Sequence, residues 1–362
     1  MSPTTLFHPL RVAAVEDDTP DAKVIRFEVP EALRPLFLGF EPGQYLTLRA
    51  QVDGQELRRA YSICAGVDDA ALRVGVRRVN GGAFSSWLHR SVQAGHTLEV
   101  MPPQGRFHLT LNPQARRHVL AIAGGSGITP ILSLVKSVLA REPGSRVTLL
   151  YANRSLASTM FKEELEDLKN RYLTRLVLHH VFSREETEVP LLHGRLDQAK
   201  VGDFLRLLVP AATVDEAFIC GPAEMNDAAE AALLAAHLPA ERIHIERFGV
   251  AGSPAGGAVE HESRPEDADH ARITLVRDGL KREFIFRKDQ PSLLDAAAAA
   301  GLEVPFSCTS GVCGTCRAKV LEGRARMDRN FALSPQEVAD GYVLCCQAHA
   351  LTERVLLSFD DK

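Results

Sequence analysis

Apolar and polar residues alternate in short runs through residues 1–111, with turn residues between the runs. Arg11–Val15, Lys23–Val29, Gln44–Leu48, Leu72–Val79 and Thr97–Val100 each read as a strand with one buried face. Asp53-Gly54 is the dipeptide a tight hairpin favours. Only Phe84–Val92 carries a helical period. This stretch therefore predicts an antiparallel β-barrel.

The period changes near residue 112. His118–Ala123 is nearly all apolar, as a strand covered on both faces must be, and it ends in Gly124-Gly125-Ser126-Gly127. A helix from Pro130 to Leu139 follows. Then come strand Val147–Tyr151, helix Phe161–Tyr172, strand Leu176–Phe182, helix Asp203–Leu208, strand Ala217–Cys220 and helix Ala223–Leu238. Strands alternating with helices predict a doubly wound α/β domain with a parallel sheet over residues 112–249. Residues 250–270 open with A-G-S-P-A-G-G-A and cannot bury a core, so they read as a linker. In residues 271–362, Ile273–Val276 and Glu283–Phe286 flank the turn Asp278-Gly279. An alanine-rich helix, Ser292–Ala300, comes next. This last stretch predicts a small α+β unit.

Composition excludes several classes. The chain has 362 residues, 45% of them hydrophobic and 24% charged, with a net charge of −4. There is no basic excess for nucleic acid. No apolar run approaches the roughly 18–20 residues of a membrane span, and no leader pattern opens the chain. Cytoplasm is the expected compartment. Seven cysteines, five of them after residue 300, suit a metal or cluster site better than disulfides.

Cys308, Cys313 and Cys316 leave four and then two residues between sulfurs, the spacing of a plant-type [2Fe–2S] site that needs a distant fourth cysteine. Soft thiolates suit such clusters. Gly311 and Gly314 allow a tight loop whose N–H groups can reach the sulfurs. A structural zinc site is the alternative, but zinc favours paired C-x-x-C knuckles and only one pair is present. The fourth ligand lies between the adjacent Cys345 and Cys346. In a strand their side chains would face opposite ways, so one alone should ligate.

Two further constellations bind phosphates or rings. Arg59-Ala-Tyr61-Ser62 offers a cation and a flat aromatic face, and Gly82-Ala-Phe-Ser85 opens a helix whose N-terminus favours an anion. Gly124-Gly125-Ser126-Gly127-Ile-Thr129-Pro lies between a strand and a helix, as a phosphate cradle requires, although it is not the G-x-G-x-x-G fingerprint. Cys220-Gly221-Pro222 ends a later strand, where open α/β sheets bind ligands. Taken alone, Cys220 is a small buried residue and Phe248 an ordinary core aromatic.

In this order, R-A-Y-S, G-A-F-S, G-G-S-G-I-T-P and C-G-P-A-E-M resemble the ferredoxin–NADP⁺ reductase superfamily with a plant-type ferredoxin module appended. The resemblance covers essentially the whole chain. E-L-R-R-A-Y-S-I-C, L-L-H-G-R, E-A-F-I-C-G-P and G-Y-V-L-C-C-Q-A are similar to the reductase subunits of ring-1,2-phenylacetyl-CoA epoxidases. Reductases serving steroid or fatty-acyl oxygenases are the alternative, and a redox-sensing binding protein is the alternative from another class.

The resemblance implies FAD (FMN in some relatives), a [2Fe–2S] cluster in a β-grasp-like domain, and oxygenase subunits as electron acceptor. It implies that Arg59, Tyr61 and Ser62 bind FAD, that Val76 and Arg77 line its ring and phosphate side, and that Gly82 and Ser85 meet the pyrophosphate. Gly124, Gly125, Ser126, Gly127 and Thr129 would cradle the nicotinamide dinucleotide. Cys220, with Gly221 and Pro222, would lie beside the nicotinamide, and Phe248 would stack on the flavin. The family's L-x-C-Q pattern and its interval of about thirty positions after the third cysteine select Cys346. Arg154-Ser155 and Arg184 follow successive strands with no acid where NADH would want one, so NADPH is the expected donor.

Overall fold

The computed structural model describes residues 6–249 and 261–361, which form two compact units, one holding the first two sheets and one centred on residues 261–361. Residues 250–260 of the expected linker lie outside the described residues.

The first sheet has six strands: β1 (His8–Thr19), β2 (Ala22–Glu28), β3 (Tyr45–Val52), β4 (Gln55–Ser62), β5 (Leu72–Arg77) and β6 (Thr97–Val100), in the order β4-β3-β6-β1-β2-β5. A bridge between Ile63, just past β4, and Val74 on β5 closes the barrel. Alternate residues fill it: Leu10 and Val12 on β1, and Leu72, Val74 and Val76 on β5, are fully buried. Asp53 and Gly54 both take left-handed φ values, 51° and 79°, as a tight hairpin turn requires. Strand β4 is too polar in Gln55-Glu56-Leu57-Arg58-Arg59 to announce itself. Arg59–Ser62 is the second half of β4. Two helices sit in the connections, α1 (Arg34–Phe37) and α2 (Ala83–Ser91).

The second sheet is parallel, with β7 (His118–Gly124), β8 (Arg146–Asn153), β9 (Leu176–Phe182), β10 (Glu216–Gly221) and β11 (Ile243–Arg247) in the order β11-β10-β7-β8-β9. Every residue of β7 is buried. The chain runs outward from β7 to β8 and β9, then returns to β10 on the other side. That reversal makes a topological switch point between the carboxyl ends of β7 and β10. The helices are α3 (Ile128–Arg141), α4 (Lys162–Arg171), α5 (Gln198–Leu207) and α6 (Ala223–Ala235). Helix α5 starts at Gln198 rather than Asp203, because Asp197 caps it by accepting the Lys200 N–H at 2.8 Å.

Barrel and α/β sheet are joined by polar contacts. Ser133 on α3 donates to the Ala65 carbonyl at 2.6 Å, Ser137 accepts the Val67 N–H at 3.1 Å, and Asp18 accepts the Phe161 N–H at 3.0 Å. Arg73 and Lys136 converge on the Glu164 carboxylate. A Cβ at Gly75 would stand 2.7 Å from Thr129 Cγ2 and 2.9 Å from Phe161 Cζ, so those side chains would have to shift.

The other unit holds β12 (His270–Arg277), β13 (Leu280–Arg287), β14 (Arg317–Glu322), β15 (Ala325–Met327), β16 (Tyr342–Leu344), β17 (Ala348–Ala350) and β18 (Arg354–Ser358). Five strands form a mixed sheet ordered β13-β12-β18-β14-β16, and β15 pairs with β17. Helix α7 (Leu293–Ala299), capped by Ser292, buries Leu293, Leu294, Ala296 and Ala297 in this unit's core. This is the β-grasp arrangement of an α+β domain. Residues 261–269 are strapped to it. Arg326 pairs with Asp267 and Asp328, and Asp328 Oδ2 accepts from His349 Nε2 at 2.8 Å and His261 Nδ1 at 3.0 Å. Among the described residues, no helix is long and apolar enough to cross a membrane.

Candidate functional site

Cys308, Cys313 and Cys316 share the loop between α7 and β14. Thr309, Gly311 and Gly314 take φ values of 52°, 79° and 69°. Those left-handed turns coil the loop and direct its N–H groups at the sulfurs. Cys308 Sγ accepts from the N–H of Ser310 (3.5 Å) and of Cys313 (3.4 Å), Cys313 Sγ from that of Thr315 (3.5 Å), and Cys316 Sγ from that of Cys346 (3.4 Å). The Cys346 side chain meets both Cys308 and Cys316, whereas Cys345 joins Cys316 through the main chain, its N–H donating to the Cys316 carbonyl at 3.0 Å. The four expected ligands are thus gathered together. The strand argument for choosing between the adjacent cysteines does not hold, however. Cys345–Gln347 form a single 3-10 turn between β16 and β17, and both cysteines are buried. What separates them is the direction of the turn, not strand alternation.

The sulfur spacing tests the cluster against zinc. Among the described residues, the group of His, Cys, Asp or Glu with ligand atoms all within 4.8 Å is His261, Asp328 and His349, so no three cysteine sulfurs are that close. A tetrahedral zinc, with sulfurs at about 2.3 Å, would hold them roughly 4 Å apart. The wider set, with N–H donors aimed at the sulfurs, fits a two-iron cluster.

In the barrel, Arg59 is half-buried, and its guanidinium donates to the Arg58 carbonyl at 2.7 Å. The Tyr61 ring lies 6.1 Å from that of Phe84 on α2, tilted by 30°. Ser62 and Val76 are buried, and the Val76 carbonyl meets His89 Nε2 at 3.0 Å. Gly82 is the N-cap of α2. The Ser85 hydroxyl accepts the Val79 N–H at 3.1 Å and faces the Gly82 carbonyl at 3.4 Å, so it braces the turn. The helix's first amides are what this corner offers a phosphate. Arg77 pairs with Asp21 at 3.4 Å and donates to the Ser158 carbonyl, and a Cβ on Gly125 would stand 3.0 Å from its Nη1. It therefore bridges the barrel to the glycine loop.

At the switch point two loops touch backbone to backbone. A Cβ on Gly127 would lie 2.0 Å from the Cys220 carbonyl oxygen, and one on Gly221 would lie 3.1 Å from Gly124 Cα. Pro222 packs there too, 2.7 Å from where a Gly124 Cβ would be. Tyr151 donates to the Gly125 carbonyl at 3.0 Å, and Thr129 to that of Ser126 at 3.0 Å. Cys220 is fully buried. Burial, and then the charge of Glu246, push its thiol well above the usual range, so it stays neutral. Phe248, just past β11, is 47% exposed and is not a core residue.

The two arginines expected at the adenosine end diverge. Arg154 reaches Asp21 at 3.5 Å, while Arg184 is exposed and joins Arg154 only by a main-chain bond of 2.9 Å. Ser155 caps the short turn that ends at Ser158. Sequence reasoning missed Asp21, Tyr151 and Gln347. It also missed Glu185, whose carboxylate accepts the Leu156 N–H at 3.0 Å beside this patch. Of these, only Gln347 carried a signal, its place directly after a cluster cysteine.

Three family profiles match the chain: an oxidoreductase FAD-binding domain at residues 9–109, an oxidoreductase NAD-binding domain at 121–231 and a 2Fe-2S iron-sulfur cluster binding domain at 275–351. The chain is 46% identical over 360 residues to a component of the 1,2-phenylacetyl-CoA epoxidase of Escherichia coli (strain K12), covering 99% of both. It is 36% identical over 355 residues to the ferredoxin reductase component of a Rhodococcus rhodochrous 3-ketosteroid-9-alpha-monooxygenase, covering 97% of this chain and 96% of that one. Among solved structures, phthalate dioxygenase reductase superposes with a TM-score of 0.59 at 24% identity, covering 98% of this chain and 98% of that one, a likeness of fold.

Proposed function

This chain belongs to the family of oxidoreductases that join an FAD-binding, an NAD-binding and a 2Fe-2S domain as reductase components of multicomponent oxygenases, and we propose that it passes electrons from NADPH, by way of FAD and the [2Fe–2S] cluster, to the di-iron oxygenase of a phenylacetyl-CoA epoxidase. Likeness over nearly the full length to a component of such an epoxidase carries the choice of oxygenase. Bound flavin supplies the passage from two-electron to one-electron chemistry.

The chain's own residues do the holding and orienting. Tyr61 and Phe248 offer aromatic faces to a flavin ring, and Arg59 a cation to its phosphates. Gly127 lets the α3 N-terminus lie against the Cys220–Pro222 loop, and the amides of that helix end would meet a dinucleotide phosphate. The neutral Cys220 thiol would lie beside a bound nicotinamide without offering a charge or taking a proton. Hydride transfer needs no general acid or base, and none is assigned. Arg154 and Ser155 favour a 2′-phosphate, for which Arg154 must leave Asp21.

Reconstitution tests this reading. Purified epoxidase oxygenase subunits should epoxidise phenylacetyl-CoA only when this protein and NADPH are added. Equal turnover with NADH would overturn the NADPH preference. Turnover with a steroid oxygenase but not with the epoxidase would overturn the choice of acceptor.

A further inference from the structure

We propose that Gln347 tunes the reduction potential of the cluster by donating its side-chain N–H to the Cys346 sulfur. The proposal rests on the reading that Cys308, Cys313, Cys316 and Cys346 hold a [2Fe–2S] cluster. Gln347 Nε2 lies 3.7 Å from Cys346 Sγ, 3.0 Å from the Thr309 carbonyl oxygen and 2.8 Å from that of Cys346. All three neighbours are acceptors, two carbonyls and a ligand sulfur. That settles which way the amide points, because its oxygen would face repulsion at every one of them.

The other sulfurs receive their donors mainly from the backbone, with the Thr315 hydroxyl also 3.1 Å from Cys313 Sγ. Ser310 and Cys313 supply Cys308, Thr315 supplies Cys313, and Cys346 supplies Cys316. Among the described hydrogen bonds, the N–H directed at Cys346 Sγ is that of the Gln347 side chain. Substitution at Gln347 removes this donor, together with the amide's bonds to the Thr309 and Cys346 carbonyls.

Two observations show that the site is built for this contact. Gln347 is fully buried, yet its Oε1 has no hydrogen-bond partner. The orphaned Oε1 is a cost that only the N–H end offsets, through the Thr309 and Cys346 carbonyls and the Cys346 sulfur. An apolar side chain of the same length would avoid that cost, so what distinguishes glutamine here is the N–H end. Gly311 makes the room: a Cβ there would stand 3.2 Å from Gln347 Cγ.

Reduction adds negative charge to the cluster and its sulfurs. An N–H donor stabilises the reduced state more than the oxidised one and so raises the potential. Gln347→Leu and Gln347→Met keep the volume and remove the donor. In the full chain, spectroelectrochemical titration should show the one-electron equilibrium shifted about tenfold toward the oxidised cluster, or about 59 mV lower, with the cluster's visible spectrum retained. An unchanged potential in either spectrally intact variant overturns the proposal and leaves the cluster reading standing. Should both variants lose the cluster, the wild-type protein decides. Labelled with nitrogen-15 only at glutamine side-chain amides, its reduced cluster should show a nitrogen-15 hyperfine coupling in pulsed EPR. No coupling overturns the proposal. A wild-type protein without a [2Fe–2S] spectrum overturns the cluster reading, and the proposal with it.

Discussion

Gly127→Ala isolates the closeness of the two loops at the switch point. Gly127 has φ −61° and ψ −9°, which alanine adopts without strain, so backbone preference is not at issue. Space is. The new Cβ would lie 2.0 Å from the Cys220 carbonyl oxygen and 2.4 Å from its carbon, where real contacts do not fall below 3.0 Å. The loops must part by about 1 Å. Overpacking of this kind costs about 1–3 kcal/mol, and a misplacement of about 1 Å at a reacting centre can cost about 100-fold. Stopped-flow reduction of the flavin by NADPH should show kcat/KM lower by about 10- to 100-fold, with flavin content and cluster spectrum unchanged and a lower Tm. Gly202→Ala is the control. Gly202 lies within α5 with nothing inside 4 Å of a new Cβ, so alanine should stabilise by about 0.5–1 kcal/mol and leave kinetics alone. Wild-type kcat/KM in Gly127→Ala would refute the reasoning that these loops seat the dinucleotide.

Two further outcomes test the other unit. Cys346→Ser should bleach the cluster's visible absorption and spare the flavin, whereas Cys345→Ser should keep the spectrum and cost about 1–3 kcal/mol for burying a hydroxyl; bleaching by Cys345→Ser alone would reverse the choice of ligand. Arg326→Met strands the Asp267 and Asp328 carboxylates, both nearly inaccessible, and should cost about 3–5 kcal/mol; a loss under about 1 kcal/mol, read from thermal bleaching of the cluster, would show that the network does not hold residues 261–269.

The alternation of Leu72, Val74 and Val76 and the apolar run of β7 made the barrel and parallel sheet legible, since each is a local period in the chain. The cysteine loop was legible for a similar reason: its spacing reflects a coiled loop closed within nine residues. Elements set by long-range contact were not. Strand β4 is polar and takes its place from the sheet beside it. The start of α5 depends on one cap, Asp197. The turn at Cys345–Gln347 replaced an expected strand because it must aim one cysteine at a loop thirty positions earlier. Arg154 read as a phosphate ligand, but its partner, Asp21, lies far back in the barrel, and no spacing rule links them. Gln347 had only its place after a cluster cysteine to mark it, and the three acceptors around it reveal what its amide is for.

The contacts joining barrel and α/β sheet have a consequence for recombination. Glu164 on α4 is shared by Arg73 from the barrel and Lys136 from α3, Asp18 of the barrel holds the Phe161 N–H, and α3 reaches into the barrel through Ser133 and Ser137. A chimera that takes its flavin barrel from one parent and its nicotinamide domain from another must inherit both halves of each pair, or bury mismatched polar groups along the seam. A crossover beyond residue 249 severs none of them. The unit of exchange is therefore the pair of domains inherited as one block.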